Sequence, residues 1–171
     1  MIQVITAPSL TKPAYTSVFL AGGITNCRNW QEEVIEELKK DDKDMSVFNP
    51  RQKDFNVKDK NASYKQIKWE FERLQAMDIF SMYFCNSDSN QPICLYELGR
   101  YVLHMQSKFP SDWEERIVIS VEKGYSRSAD VRIQLGLCAP NILVDTDNVS
   151  PITHAVRILA RAKRFKTNKK E

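Results

Sequence analysis

Short apolar runs alternate with segments of helical periodicity along most of the chain. Runs at 17–21, 45–48, 78–84, 117–121 and 141–144 are rich in apolar residues, and each is followed by polar or turn-forming residues. Runs of this length predict buried strands, and the segments between them predict helices. Strands that alternate with helices form parallel sheets. The pattern therefore predicts an α/β fold: a flavodoxin-like, Rossmann-like parallel sheet of about five strands with helices on both faces.

The apolar periodicity also predicts which face of each helix is buried. In the helix predicted from about residue 63 to residue 77, the inner face comprises Tyr64, Ile67, Phe71 and Leu74. In the last helix, the apolar stripe comprises Ile152, Ala155, Val156, Leu159 and Ala160. Another helix is expected to begin near Pro92, because proline is well tolerated in a first turn.

The chain is expected to form a single domain over residues 1–171, because no internal repeat or linker interrupts the pattern. Residues 1–15 are expected to form an N-terminal arm, and residues 165–171 a basic C-terminal tail. With 42% hydrophobic and 27% charged residues, the composition is that of an ordinary globular protein. No apolar stretch reaches about 18 residues and no signal-peptide pattern is present, so a cytoplasmic protein without membrane association is expected.

The net charge of +3 is unevenly distributed along the chain. Residues 157–171 contain seven basic residues and one acid, so the rest of the chain is net acidic. A dedicated nucleic-acid-binding module would instead carry its basic residues along one face. The charge pattern therefore argues against nucleic acid as a partner, although a contact of the tail with an acidic neighbour stays open.

Cysteine and histidine are too sparse to indicate a metal site or a disulfide scaffold. The four cysteines lie 58, 9 and 44 positions apart without a C-x-x-C pair, and the chain has two histidines. Without a G-x-S-x-G motif, a Ser-His-Asp hydrolase is also disfavoured. No metal or other cofactor is expected, and the chemistry is assigned to carboxylates.

Three loops follow predicted strands and are candidates to form a binding site. Ligands of parallel α/β sheets bind outside the carboxyl ends of the strands, which selects 22–29, 49–60 and 85–91. Gly22 and Gly23 permit close approach of the backbone to a ligand, and the next helix offers unpaired N–H groups to an anion. The motif is not the G-x-G-x-x-G of dinucleotide-binding proteins, and a purely structural glycine turn is the alternative.

Two glutamates fall where they could act on a ligand at this edge of the sheet. Glu97 lies in the first two turns of the helix that starts near Pro92, and Glu70 lies off the apolar stripe of its own helix. Glu97 is either an exposed surface acid or a pocket residue that the helix N-terminus keeps ionised as a nucleophile. Gly99, a poor helix former, indicates close packing nearby. Two carboxylates beside one ligand suffice to break a glycosidic bond with retention.

Four short motifs follow one another in a characteristic order. They are Phe-Leu-Ala-Gly-Gly-Ile at 19–24, Asn-Pro-Arg at 49–51, Trp-Glu at 69–70 ahead of Asp78, and Tyr-Glu-Leu-Gly at 96–99. In this order they resemble the nucleoside 2-deoxyribosyltransferase superfamily, most strongly over about residues 17–105. The superfamily includes transferases that exchange bases on deoxyribose and hydrolases of nucleoside 5′-monophosphates, and its fold is a flavodoxin-like sheet.

The resemblance implies a reaction and roles for several residues. The reaction is cleavage or transfer at the N-glycosidic bond of a (deoxy)nucleoside or nucleotide. Glu97 would be the nucleophile that forms a covalent glycosyl–glutamate intermediate at C1′, and Glu70, where the superfamily usually has aspartate, would protonate the base. Gly22 and Gly23 would lie along the sugar or the base. Because the superfamily completes its site across a subunit interface, a homo-oligomer is implied.

Other positions would bind the substrate, and two of them depart from the superfamily pattern. Phe19 replaces a tyrosine that orients the nucleophile, and Gln91 replaces an aspartate or serine that recognises the sugar hydroxyl or the phosphate. The remaining candidates, for an anion site, for stacking on a base or for other contacts, are Asn49, Arg51, Trp69, Ser89 and Arg127. Recognition of the 5′ group is therefore open. The alternative function is a non-catalytic protein that binds a nucleotide or an ADP-ribose-like ligand.

Overall fold

A computed structural model describes residues 1–53, 55 and 59–165 of the chain. The strands within these residues are β1 (Ile2–Thr6), β2 (Ser17–Gly22), β3 (Met45–Asn49), β4 (Ile79–Phe84), β5 (Ile117–Val121) and β6 (Val144–Asp145). The α-helices are α1 (Trp30–Leu38), α2 (Ala62–Ala76), α3 (Pro92–Lys108), α4 (Ser128–Cys138) and α5 (Pro151–Ala162), and a 3-10 turn spans Trp113–Arg116. Apart from Phe165, the tail expected at 165–171 lies outside the described residues.

All the strands form one parallel sheet in the order β1-β3-β2-β4-β5-β6. The predicted α/β, Rossmann-like fold is confirmed, with six strands instead of about five. From β2 onward the order is that of flavodoxin-like sheets, in which the strand order reverses between two central strands. Here the reversal lies between β2 and β4, and this point of the sheet is a natural ligand site.

The extra strand, β1, comes from the segment that was expected to be an arm. Ile2–Thr6 pairs with all five residues of β3 at the edge of the sheet. An edge strand buries little, and in β1 only Ile5 is fully buried, while Val4 is exposed. The apolar signal of this strand is weak for that reason, and residues 1–15 therefore do not form an arm over their whole length.

The helices cover both faces of the sheet. Successive side chains of a strand point to opposite faces, so Val18 and Leu20 of β2 pack with α1 and α5, while Phe19 and Ala21 pack with α2, α3 and α4. No helix among the described residues is long and apolar enough to cross a membrane.

Two of the predicted helix faces are wrong in part. In α2, Tyr64, Ile67 and Phe71 are exposed, and the residues that face the core are Trp69 and Leu74. Trp69 fits between Phe19 and Phe48 of the sheet, so α2 turns this side inward. A helix with apolar residues on two sides cannot reveal from periodicity alone which side meets the sheet.

In α5 the predicted buried face is also wrong in part, because Ile152 and Val156 are exposed and His154 is fully buried. His154 lies at 2.7 Å from Ser81 Oγ through Nε2 and at 2.7 Å from Ser120 Oγ through Nδ1. Burial lowers the pKa of His154 to about 3, so the ring is neutral and both nitrogens have partners. A polar residue can therefore face the core here because the sheet supplies matching hydroxyls.

Candidate active site

A cavity of about 240 Å³ opens at the carboxyl end of β2, at the point where the strand order reverses. It lies on the face of the sheet that α2 and α3 cover. The described residues that line it are Phe19, Ala21, Gly22, Gly23, Ile24, Thr25, Pro50, Glu70, Ser89, Gln91, Pro92, Ile93, Cys94 and Glu97. Strand, loop and helix residues thus meet as expected for ligand sites in parallel sheets.

The floor of the cavity depends on two glycines at the end of β2. Gly22 has a φ of +151°, and a Cβ there would overlap the backbone oxygen of Tyr83 and the ring of Trp30. A Cβ on Gly23 would lie 2.5 Å from Cys27 Sγ and 2.7 Å from Gln91 Oε1. Both positions therefore require glycine for close packing, whether or not a ligand also approaches them.

Arg51 holds the loop that follows these glycines. Its Nη2 donates to the backbone oxygens of Ile24, Cys27 and Arg28 at 3.2, 3.3 and 2.9 Å, and its Nε donates to Gln31 Oε1 at 2.9 Å. Arg51 does not line the cavity, and the loop carbonyls occupy these guanidinium donors. The residue that sequence reasoning offered as an anion ligand therefore positions the loop.

A second contact group ties this loop to the neighbouring strands. The carboxylate of Glu122, just after β5, accepts from Tyr83 Oη at 2.6 Å and from the backbone N–H of Asn86 at 2.7 Å, and it forms an ion pair with Arg28. These contacts join the loops after β2, β4 and β5. Arg51, which follows β3, and Glu122, which follows β5, therefore both fix the loop at the rim of the cavity.

Glu70 projects from α2 into the cavity and has one polar partner within the described part of the chain. Gln66 Nε2, one turn earlier on the helix, donates to Glu70 Oε1 at 2.6 Å and to the backbone oxygen of Pro50 at 2.7 Å. Burial raises the pKa of Glu70, while the hydrogen bond from Gln66 acts in the opposite direction. Glu70 is thus a positioned carboxyl group whose pKa lies above its ordinary value.

Glu97 reaches the same cavity from α3 and has no hydrogen bond or ion pair with any described residue. Burial raises its pKa to about 8, and the charge of Glu70 raises it further as the second cause. In this structure burial outweighs the effect of the helix N-terminus, which was expected to keep Glu97 ionised. Glu97 is the sixth residue of α3, and the effect of a helix terminus fades within one turn.

Gln91 and Ser89 form the part of the cavity wall that precedes α3. Gln91 adopts the left-handed conformation, is 4% exposed, and donates from Nε2 to the backbone oxygen of Cys85 at 2.7 Å. Its Oε1 is buried and has no described partner. The N–H of Gln91 donates to Ser89 Oγ at 3.1 Å. Gln91 therefore contributes to the wall with a side chain whose amide oxygen is enclosed.

The remaining candidate residues occupy different places. Phe19 lines the cavity and packs against Trp69, with ring centroids 6.2 Å apart. Trp69 is buried, donates to the backbone oxygen of Ser9 at 2.7 Å, and does not line the cavity. Asn49 also lies off the cavity and accepts from the N–H of Arg51 at 3.0 Å. Arg127 occupies the N-cap position of α4 without a capping hydrogen bond from its side chain, pairs with Asp130, and lines a separate groove.

Sequence reasoning did not select several wall residues. Thr25, Pro50, Ile93 and Cys94 line the cavity. Thr25 and Pro50 lie in loops that the strand-end rule had marked, so the signal for their region was present. The roles of Ile93 and Cys94 depend on the rotation of α3, which periodicity alone leaves undefined.

The prediction of close packing beside Gly99 is wrong for the described chain. No atom lies within 4 Å of a Cβ built on Gly99. Gly99 lies on the outer side of α3, next to the groove between α3 and α4. The presence of a glycine at this position of the helix therefore has no explanation within one copy of the chain.

The arrangement offers two carboxyl groups in a cavity with largely apolar walls. Among the described residues, no group of three or more His, Cys, Asp or Glu side chains could hold a metal ion. A family model described as nucleoside 2-deoxyribosyltransferase like matches residues 15–109, which include the whole cavity lining. This match spans more than half of the chain. No curated protein matches the sequence.

Proposed function

Because the chain belongs to the nucleoside 2-deoxyribosyltransferase-like family, we propose that it cleaves or transfers at the N-glycosidic bond of a nucleoside or nucleotide. The proposal rests chiefly on one observation: Glu70 and Glu97, which come from different helices, line the same cavity at the switch point of the sheet. Two carboxyl groups at one ligand are the groups that retaining glycosyl transfer needs.

In the proposed reaction, Glu97 is the nucleophile and Glu70 is the acid. The ionised carboxylate of Glu97 attacks C1′ and forms an ester there, while the N-glycosidic bond breaks and its electron pair goes to the base nitrogen. Glu70 donates its proton to that nitrogen. Water or a second base then attacks C1′, the ester electron pair returns to Glu97, and the proton of the attacking group passes to Glu70.

The protonation of the pair suits this sequence of steps. The reaction starts with one proton on the two carboxyl groups, held by Glu70 while Glu97 is ionised. Burial raises the pKa of both groups, and burial together with the charge of Glu70 brings the pKa of Glu97 to about 8. The pair therefore keeps a proton at neutral pH, and a bound substrate only has to draw it towards Glu70.

We further propose that a second copy of the chain packs on the outer side of α3. Ile93, Tyr96 and Leu103 are large apolar side chains that α3 exposes, and a Cβ on Gly99 would meet no described atom. Ile93 also lines the cavity, so a copy packed here would narrow its mouth. Sedimentation analysis should give a dimer or higher oligomer, and Leu103→Asp should weaken it; a wild-type monomer at micromolar concentration contradicts the proposal.

The reaction is tested by incubating the full chain with deoxyribonucleosides, ribonucleosides and their 5′-monophosphates and measuring free base by chromatography. Glu97→Gln should abolish base release, and Glu70→Gln should lower it by about 100-fold or more, the usual contribution of a positioned acid. Glu72→Gln, on the exposed side of α2, is the matched control and should leave the rate unchanged.

A covalent adduct gives an independent measurement. Mass spectrometry of the quenched reaction should find the mass of the sugar on the peptide that contains Glu97, and should not find it in Glu97→Gln. An undiminished rate in Glu97→Gln overturns the mechanism. Measurable binding with full recovery of intact ligand also overturns it, and would favour the non-catalytic binding function.

A further inference from the structure

Gln66 uses both of its amide hydrogens in contacts beside the cavity. It lies on α2 one turn before Glu70, and its Nε2 donates to Glu70 Oε1 at 2.6 Å and to the backbone oxygen of Pro50 at 2.7 Å. Its own Oε1 accepts from Gln52 Nε2. Gln66 therefore connects Glu70, the acid of the proposed reaction, to the loop that follows β3.

The contact with Pro50 fixes the direction in which the amide of Gln66 points. A backbone carbonyl oxygen can only accept a hydrogen bond, so the group that faces Pro50 O must be the amide nitrogen. A reversed amide would place an acceptor against Pro50 O and against Glu70 Oε1, and both contacts would be lost. The nitrogen of Gln66 therefore lies between Pro50 and Glu70, and Glu70 Oε1 is held as an acceptor.

The two oxygens of Glu70 consequently have different roles. Oε1 accepts from Gln66, and a carboxylic acid accepts better through its carbonyl oxygen than through its hydroxyl oxygen. Oε2 has no hydrogen-bond partner among the described residues, and it is not among their fully enclosed polar atoms. When Glu70 holds a proton, that proton is therefore on Oε2, the oxygen that is free to donate to a ligand.

The hydrogen bond from Gln66 also becomes stronger as Glu70 gives up its proton, because bonds to an ionised acceptor are roughly twice as strong as bonds to a neutral one. The bond lowers the pKa of Glu70 against the effect of burial. Among the described residues that line the cavity, the other charged side chain is Glu97, which repels the carboxylate of Glu70. Gln66 is thus the described neighbour that stabilises Glu70 in its ionised form.

We propose that Gln66 is a positioning residue: it places the proton of Glu70 on Oε2, towards the leaving base, and stabilises the carboxylate that forms as the base departs. The inference rests on the proposed function, since it assigns a role within the same reaction. In the step, the O–H bond at Oε2 breaks, the proton passes to the base nitrogen, and the electron pair of the O–H bond stays on Glu70. Gln66 itself neither gives nor receives a proton.

The hydrogen bond is tested first, without turnover, in a Glu97→Gln background, so that one carboxyl group of the pair titrates. Carbon-13 NMR of the glutamate carboxyl groups gives the pKa of Glu70, whose signal is assigned by its loss in Glu70→Gln. Gln66→Met keeps the length of the side chain but lacks the donor. It should raise the pKa of Glu70 by about 1–2, the usual contribution of a hydrogen bond to a charged group.

Lys68→Met is the matched control for this titration, because Lys68 is exposed on the same helix. It should leave the pKa of Glu70 unchanged. An equal pKa of Glu70 with and without the donor of Gln66 overturns the inference.

The role in the reaction is tested with two leaving bases that differ in their need for a proton. Guanine leaves 2′-deoxyguanosine with the help of an acid, whereas 7-methylguanine leaves the cationic 7-methyl-2′-deoxyguanosine as a neutral molecule without one. Gln66→Met should lower kcat by about 10-fold or more with the first substrate and by less than about 2-fold with the second, after correction for spontaneous base loss. A purely structural role would lower both rates equally and would overturn the assignment.

A double-variant cycle extends this test to whichever substrate of the panel reacts fastest. Gln66→Met should lower kcat in the wild type and should cause no further loss in Glu70→Gln, because no acid is left to position. An equal loss in both backgrounds would mean that Gln66 acts independently of Glu70, which contradicts the inference.

The two proposals fail in different ways. If Gln66→Met raises the pKa of Glu70 while the wild type releases no base, the orientation of the carboxyl group holds and the proposed reaction is wrong. If base release depends on Glu97 and Glu70 but is unchanged in Gln66→Met, the reaction holds and the positioning role is wrong. Thermal unfolding of Gln66→Met verifies that the variant is folded before its rates are compared.

Discussion

At position 97, burial and helix position act in opposite directions on the carboxyl group. A helix N-terminus favours the ionised form, but Glu97 is the sixth residue of α3 and lies beyond the first turn. Removal from water favours the protonated form, and Glu70 adds a like charge nearby. Burial dominates, and the group has a pKa of about 8. A residue that looks like a helix-stabilised anion in the sequence therefore has a raised pKa in the fold.

The raised pKa predicts how Glu97 changes stability with pH. Its pKa is about 8 in the folded chain and 4.5 as the ordinary value, so between these values the folded state holds a proton that the unfolded state releases. Its contribution is complete below pH 4.5 and is lost as the pH rises towards 8. At pH 8.5 the free energy of unfolding of Glu97→Gln should therefore exceed that of the wild type by up to about 5 kcal/mol, since the pKa difference is about 3.5 units at about 1.4 kcal/mol per unit.

Urea unfolding at pH 4.5 and pH 8.5 measures this difference. The wild type and Glu97→Gln should have similar stability at the lower pH and diverge at the higher one, because glutamine resembles the protonated acid at both. Glu72→Gln is exposed on α2 and should show no such divergence. A constant difference between the wild type and Glu97→Gln across this range would contradict a raised pKa at position 97.

Gly22 and Gly99, which belong to two of the sequence motifs, should differ in the sign of the stability change when each is replaced by alanine. Gly22→Ala introduces a Cβ against Tyr83 and Trp30 at a φ of +151°, so we expect a loss of roughly 2–4 kcal/mol, typical of overpacking with backbone strain. Gly99→Ala lies within a helix with open space around it, so a gain of about 0.5–1 kcal/mol is expected. Chemical denaturation of both variants decides the matter; a neutral Gly22→Ala would mean that the turn can relax.

At the scale of elements, the loop after β2 depends on contacts that come from other elements. Arg51 follows β3, and Glu122 follows β5, yet both bind residues of this loop or of the strand next to it. The loop has few apolar residues of its own to bury, so polar contacts from the two neighbouring loops fix its shape. The cavity floor is therefore a property of three loops together.

Replacing Arg51 tests this arrangement. Arg51→Lys keeps the charge, but a single ammonium group cannot replace a guanidinium that donates to Ile24 O, Arg28 O and Gln31 Oε1 together. We expect a loss on the order of 2 kcal/mol, because buried carbonyl groups lose their donors, and a raised KM with little change in kcat. Lys39→Met, at an exposed ion pair on α1, is the control for loss of a cation and should be neutral. A changed kcat with unchanged KM would instead indicate that Arg51 contacts the reacting atoms.

At the scale of the whole molecule, β1 completes the sheet beside β3. Its side chains also bind inward: Gln3 Oε1 accepts from Ser46 Oγ at 2.6 Å and from the N–H of Ala14 at 2.8 Å. Without β1, β3 would become an edge strand with unpaired backbone groups and an apolar sequence. Exposed strands of that kind pair with other molecules.

Deletion of residues 1–6 should therefore lower the urea midpoint and cause association that light scattering detects, because β3 loses its neighbour along its whole length. The substitution Val4→Thr is the control, since Val4 is exposed and threonine keeps the strand propensity. A truncated chain as stable and as dispersed as the wild type would mean that residues 1–6 behave as the arm that the sequence suggested.

The sequence by itself determined the fold class and the order along the chain of the motifs that form the candidate site. Buried central strands such as β2 and β4 consist mostly of apolar residues, so their positions are recognisable from the sequence. Glu70 and Glu97 follow from motifs that lie before and after β4. Tertiary structure alone decided which side of α2 faces the sheet, that Ile2–Thr6 pairs with β3, and what Arg51 and Gln91 contact. The side of a helix that faces the sheet, the pairing of an edge strand and the partners of polar side chains all depend on contacts between distant segments. Periodicity along the chain does not reveal these contacts.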